Sequence, residues 1–217
     1  MSHNLLTQAS FDFLKEIREN NNKQWFVENK SDYTKFIYDP LQNVVMLLQD
    51  ILIKIDVDFV LIPNKCISRI YNDMRFSRNK GYLKDCVWLT FKTADKSIQP
   101  AYFLEIKENS FRYGMGYYHA DPAAMQKFRN NIDNNLEKFT QIMRDIKHVG
   151  DINIFGDHYK KPFENNYDGI IGEYYNLKGI YAAYNSSDIS LLQKDQFYHK
   201  IINDYWLLKD SYSFLKV

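Results

Sequence analysis

Cysteine is scarce in this chain. Cys66 and Cys86 are the only two in 217 residues, with no CxxC motif and no Cys/His pairing at zinc-ligand spacing. The expectation is two reduced, buried thiols in a cytoplasmic protein. Charge of one sign is lacking as well: 28 basic residues face 27 acidic ones, a formal net charge of +1, so no global field draws the chain to nucleic acid or to a membrane surface. Electrostatic recognition has to be local. Long hydrophobic runs are missing too, since no stretch approaches the ~20 apolar residues of a membrane span. The opening MSHNLLTQAS has neither the basic region nor the apolar run of a secretory leader. A soluble cytoplasmic protein is expected.

The familiar catalytic templates are absent. There is no GxSxG elbow, HExxH helix, Walker-type phosphate loop or GxGxxG turn. His119, His148, His158 and His199 are scattered without ligand spacing, and the acids form no tight cluster of the kind a metal requires. No metal site is expected, and neither a reaction nor a cofactor is assigned.

What the chain does have is material for a core: 45% hydrophobic residues, 16% of all residues aromatic. A domain of this size buries roughly 70% of its unfolded surface, and this composition is the opposite of a disordered one. Ser10 is expected to cap a first helix carrying Phe11, Leu14 and Ile17. A second helix begins near Asn20–Asn22 and runs through Trp25, Phe26, Asn29, Tyr33, Phe36 and Ile37. Asp39-Pro40 reads as a restart, with Asp39 as cap and Gln42 reaching back to it. Leu41, Val44, Val45, Leu48, Ile51, Leu52 and Ile55 follow at spacings of three and four, the strongest helical pattern present.

Beyond Pro63 and Asn64 the period changes. Cys66 to Tyr71 reads as a short strand. Val87, Leu89 and Phe91 alternate with Trp88, Thr90 and Lys92, a period of two. Ala101–Lys107 and Ser110–Tyr118, joined at Glu108-Asn109, read as a hairpin. Asp121-Pro122 starts a helix with Met125, Phe128 and Ile132. Asn134 with Glu137 starts another. Ile152–Phe155 and Gly179–Tyr184 are candidate strands, Asp188 a candidate cap, and Phe197 to Leu215 an aromatic helix. The fold class expected is α+β: a single domain over 1–217 with N-terminal helices, a central mostly antiparallel sheet, and further helices packed on it. No internal repeat or low-complexity linker marks a boundary.

The segment from Arg69 to Lys84, RIYNDMRFSRNKGYLK, concentrates the unusual chemistry. Arg69, Arg75, Arg78, Lys80 and Lys84 stand against Asp73 and the adjacent Asp85, a local excess of three positive charges. A buried guanidinium has to be paired, and Asp73 can orient only one arginine well. A phosphate or carboxylate would complete the balance, because the planar fork of arginine matches such oxyanions. The same residues could instead form structural salt bridges and a solvated face. Two further groups stand out. Glycine within the strand run Tyr113, Gly114, Met115, Gly116, Tyr117, Tyr118 marks a bulge or a close approach by another backbone or a ligand. Asn22, Trp25 and Asn29 can share one helical face, beside Asn21 and Lys30.

The basic segment resembles the signature of the DUF2461 proteins, also described as the TIGR02453 family, RxxRDxRFxxxKxPYK. Arg69, Asp73, Arg75, Phe76, Lys80 and Lys84 match it. Asn72 stands where its second arginine is expected, and Tyr82 and Leu83 replace its proline and tyrosine. FDFLKEIRENNNKQWFVENKSDY, the GMGYY run and YYNLKG are similar to other parts of the family pattern, so the resemblance spans nearly the whole chain. It implies a single DUF2461-like domain of bacterial type and supplies no reaction.

Taken together, the expectation is an anionic small molecule held by Arg69, Asp73, Arg75, Lys80 and Lys84, with Tyr113, Gly114, Gly116 and Trp25 as further ligand-binding candidates. A nucleic-acid protein using the same bases with aromatic stacking is the alternative, against which the near-neutral charge weighs. A third reading is a structural or partner-binding protein whose aromatic C-terminal helix covers another chain. Oligomeric state is not legible.

Overall fold

The computed structural model describes residues 5–73, 81–95, 99–117, 120–165 and 167–216. At its centre is one antiparallel sheet of five strands: β1 (Cys86–Phe91), β2 (Ala101–Lys107), β3 (Phe111–Gly116), β4 (Asn153–Phe155) and β5 (Tyr181–Ser186), in the order β1-β2-β3-β5-β4. The hairpin β2–β3 turns where the sequence indicated, closed by the Lys107 N–H donating to the Ser110 carbonyl at 2.8 Å. The fold is α+β, with helices before, between and after the strands.

The N-terminal layer begins with α1 (Gln8–Glu19). Its cap is Thr7, and Ser10 is the third helical residue of the capping box, with the Thr7 N–H donating to the Ser10 hydroxyl. The expected cap thus sits one turn too late: the Ser10 hydroxyl takes the reciprocal place that Glu or Gln commonly fills in such a box. The expected long second helix is divided. α2 (Lys23–Glu28) is capped by Asn22, whose side chain accepts from the Trp25 N–H at 2.9 Å, and Asn29 ends it. α3 (Lys30–Tyr33) then passes through a π-helical turn, Thr34–Tyr38, into α4 (Asp39–Ile55) without leaving helical conformation. Asp39-Pro40 is therefore no restart. The Asp39 N–H donates five residues back, to the Thr34 carbonyl, and this wider turn accommodates a proline that lacks the donor an α-helix would need.

A short helix, α5 (Pro63–Cys66), follows. Ile67 and Tyr71 form isolated bridges to Leu89 and Leu83 in place of the expected strand. α6 (Pro122–Asn134) starts at the Asp121-Pro122 signal, with Asp121 accepting from the Ala124 N–H at 2.6 Å. α7 (Leu136–Val149) is capped at Asn135, one residue later than expected, and stopped by Gly150 in left-handed conformation. α8 (Gly169–Tyr175), which periodicity did not reveal, is tied to α6 where Tyr167 and Tyr175 donate to the two carboxylate oxygens of Asp133. Asp188 caps a 3-10 turn, Ile189–Gln193. The expected C-terminal helix is two: α9 (Asp195–Leu207) and α10 (Lys209–Leu215), separated at Leu208.

Alternate strand residues meet the helices. Leu89, Phe91, Tyr102, Leu104, Tyr113 and Met115 are buried with Leu41, Val44, Leu48, Ile201, Tyr205 and Tyr212 in one hydrophobic core. The buried tyrosines keep their hydroxyls paired: Tyr102 donates to the Tyr205 carbonyl, Tyr205 to the Phe103 carbonyl, and Tyr113 to Asp204, which also receives Lys200. Burial first, then the Asp204 carboxylate, push the Tyr113 and Tyr205 hydroxyls far above the usual tyrosine range, so they remain neutral donors. No helix among the described residues is long and apolar enough to cross a membrane.

Candidate functional site

The opposite face of the sheet carries the other set of alternate residues. Register places Trp88 opposite Glu105, and Glu105 opposite Arg112. Thr90 faces Phe103, Phe103 faces Gly114, and Ala101 faces Gly116. Trp88 and Phe103 contact each other with ring centroids 5.6 Å apart, while Arg112 pairs with Glu105 and lies over the Trp88 ring at 5.2 Å. Short side chains beside tall ones leave a hollow. A cleft of about 770 Å³ opens there, with Trp88, Thr90, Ala101, Phe103 and Gly116 as its sheet-side lining.

Its other wall is built from the ends of the basic segment. The Ser68 N–H donates to the Trp88 carbonyl at 2.8 Å and the Trp88 N–H to the Ser68 hydroxyl at 3.1 Å, so this arm covers the outer edge of β1. The returning arm pairs with it: Lys84 N–H to the Ile70 carbonyl at 2.7 Å, Asn72 N–H to the Tyr82 carbonyl at 3.0 Å. Two asparagine side chains lock this stem. Asn21, from the link between α1 and α2, accepts from the Leu83 N–H at 2.6 Å and donates to the Leu83 carbonyl at 2.9 Å. Asn72 donates to the carbonyls of Gly81 at 2.7 Å and Leu83 at 2.8 Å. A Cβ on Gly81 would lie 2.6 Å from the Asn21 side chain, which is why glycine stands there. Tyr71 meets both Phe26 and Tyr82 edge-on, with ring centroids 5.4 Å away in each case. The family departures thus have local roles: Asn72 and Leu83 are hydrogen-bonded into the stem, and Tyr82 packs on it.

Ser68, Asn72, Gly81, Leu83, Lys84 and Asp85 line the cleft on this side, together with Arg18 and Asn21. Arg18 is ion-paired with Glu108 at 2.5 Å. The Lys84 ammonium donates to the Arg69 carbonyl at 2.7 Å, which uses one of its three donors. Cys86 also borders the cleft. Burial first, then the carboxylates of Glu105 and Asp85, push its thiol upward, and burial pushes Cys66 up to about 11. Both are free cysteines held as thiols, poor nucleophiles at neutral pH. Among the described residues no group of three or more His, Cys, Asp and Glu is placed to hold a metal ion.

Of the residues singled out from the sequence, Lys84 and Gly116 line the cleft. Arg69 and Asp73 are exposed on the arm leading to it and do not line it. Arg75 and Lys80 lie outside the described residues. Tyr113 is turned to the helical face, stacked on Tyr184 at 5.1 Å, because its place in β3 is one residue out of phase with Gly114. Gly114 contributes no bulge. The β3–β5 ladder is regular from Phe111 to Gly116, and a Cβ on Gly114 would lie 1.9 Å from the Ala182 carbonyl oxygen. The close approach is therefore by the neighbouring strand. Trp25 packs on Phe13 at 5.6 Å in the N-terminal layer, away from the cleft lining. Trp88, Phe103, Thr90, Ser68 and Arg18 were not among the candidates, and Asn21 stood out only as a member of the polar group around Trp25. The signal for the first three was the alternation itself, which sets Trp88 and Thr90 on the face opposite to Leu89 and Phe91.

An antiparallel sheet clothed by helices on one face and hollowed on the other, with an anchored basic stem at its edge, defines an α+β protein with an open-faced sheet. The chain belongs to the family described as Conserved hypothetical protein (DUF2461), whose sequence profile matches residues 9–214. Comparison with curated proteins gives no match.

Proposed function

We propose that this protein binds an anionic small molecule, phosphate- or carboxylate-bearing, in the cleft on the open face of the sheet. The observation that carries this reading is the convergence of both arms of the basic segment on the polar end of the cleft, with Asn72 and the flanking Ser68 from one and Lys84 from the other. Lys84 and Arg18 offer charged donors there, Asn21 has a second amide N–H beside the one given to Leu83, and the aromatic wall of Trp88 and Phe103 lowers the local dielectric, which strengthens a charge-assisted hydrogen bond. The volume lies within the range of small-ligand sites, roughly 300–1,000 Å³. Arg75 and Lys80 enter as further anion ligands on the strength of the charge excess in the segment. A reducing, cytoplasmic setting belongs to the same proposal, supported by two free thiols.

A thermal-shift screen of inorganic phosphate, sugar phosphates, nucleotides and dicarboxylates tests it, because a ligand bound only by the native state raises apparent stability, by about 2.7 kcal/mol at a hundred times its Kd. At least one anion is expected to raise Tm, and Lys84→Ala and Arg75→Ala should each reduce that rise. If no anion stabilises the protein, or both variants respond as the parent does, the reading fails. Salt separates the alternative: binding of a nucleic-acid strand falls steeply as salt is added.

A further inference from the structure

Resting on that reading, we infer that the ligand carries a flat aromatic ring as well as its anionic group, the chemistry of a nucleotide. The cleft has two ends of different character. One is polar, where Asn21, Ser68, Asn72 and Lys84 meet. The other is a sheet surface in which two aromatic side chains on adjacent strands, Trp88 and Phe103, stand in contact at 5.6 Å beside Thr90, Ala101 and Gly116. These three short residues matter as much as the rings. Thr90 is the direct cross-strand neighbour of Phe103, and Ala101 and Gly116 are neighbours of each other one pleat further on. Thr90 and Ala101 leave space over the sheet where larger side chains would have filled it, while Gly116 marks the close approach of Tyr181 at the margin of that space.

A bare phosphate, a small dicarboxylate or a sugar phosphate would engage only the polar end. It would leave the apolar half of the cleft, chiefly the half-buried Trp88 beside a Phe103 that is only 8% exposed, in contact with water. A planar ring on the Trp88–Phe103 side with its phosphate toward Lys84 uses both ends, and base-on-aromatic stacking tolerates any of the bases because each has a π-face. Arg112, held by Glu105, lies over the Trp88 ring from outside the cleft lining and helps to fix that ring in place. The lining offers no second carboxylate beside Asp85 among the described residues, so the phosphate would be met by side-chain cations and amides.

Isothermal titration with adenosine 5′-monophosphate, its guanosine and uridine counterparts, adenosine and ribose 5-phosphate tests both components. At least one monophosphate is expected to bind ten-fold or more tightly than ribose 5-phosphate and than its own nucleoside. Trp88→Ala should weaken that nucleotide at least ten-fold while Trp88→Phe retains most of the affinity, and Trp206→Ala, an exposed site outside the cleft, should change nothing. Equal affinity for ribose 5-phosphate and the nucleotides would overturn the ring inference and leave the anion reading standing. A nucleoside binding as tightly as its monophosphate would do the reverse. Binding of other anions with no response to any nucleotide overturns the inference alone.

Discussion

The two faces of one sheet are made by alternate residues of the same strands, yet they obey different rules. On the helical face Tyr102, Tyr113 and Tyr205 are fully buried, and each hydroxyl has a named acceptor within the core. On the open face Trp88 and Phe103 stand among short or polar neighbours, and the covering layer is a stem of hydrogen-bonded loop. The difference is one of partners. Helices α4, α9 and α10 bring continuous apolar stripes to the first face, whereas the second meets the ends of a basic segment whose own side chains are polar. A packed face confers stability. A hollow face retains surface for something else.

Four substitutions or measurements probe that contrast, in falling order of effect. Leu104→Ala on the helical face should cost about 2–5 kcal/mol, the range for emptying a fully buried leucine site, while Thr90→Ala on the open face should stay within about 0.5 kcal/mol. Urea denaturation reads both, and comparable losses would mean that the open face is packed like a core. Gly114→Ala should cost about 1–3 kcal/mol by overpacking, since the new methyl meets the β5 backbone. An unchanged unfolding midpoint would show that β3 and β5 can part without penalty.

The third concerns the clamp that fastens α10 to the end of α4. Burial by itself would raise the Asp56 carboxyl, but hydrogen bonds from Lys216, Tyr212 and the Asp58 N–H hold it below the usual carboxylate range. The unfolded chain then binds the proton more readily than the folded one. The stabilisation is complete above the ordinary aspartate range and is lost as pH falls through the folded value. Asp56→Asn should lower stability at neutral pH and flatten part of the acid-side decline, by less than either core substitution; parallel pH–stability curves for variant and parent would refute it. The smallest effect is kinetic. Cys86, though at the cleft, should react with a disulfide reagent more slowly than free cysteine at pH 7 and accelerate only in alkali, and rapid labelling at neutrality would contradict a raised thiol.

Much of the fold was legible because its signals are local. The alternation in β1 and β2, the short polar link before β3 and the Asp121-Pro122 cap each depend on residues within one turn or pleat. The pairing of β3 with β5 depends on a contact across three intervening helices and the strand β4, and no local pattern encodes it. The cleft was half legible for the same reason. The charge excess pointed to Lys84, while Trp88 and Phe103 come together only through strand register. Asn21 reaches Leu83 across a separation of 62 residues, and its side chain looked like one more polar residue near a helix start. Tyr113 was selected for its neighbours in sequence, and the period of two carried it to the other face.

The π-helical turn at Thr34–Tyr38 ties two sequence features into one evolutionary unit. An α-helix advances 100° per residue, so the extra residue taken up by the wide turn sets the phase in which α4 presents Leu41, Val44, Val45 and Leu48 to the core. Deleting a residue there would rotate that whole stripe toward solvent and return Pro40 to a turn where its ring strikes a carbonyl. The wide turn, the proline and the heading of the longest helix can therefore change only in concert along a lineage.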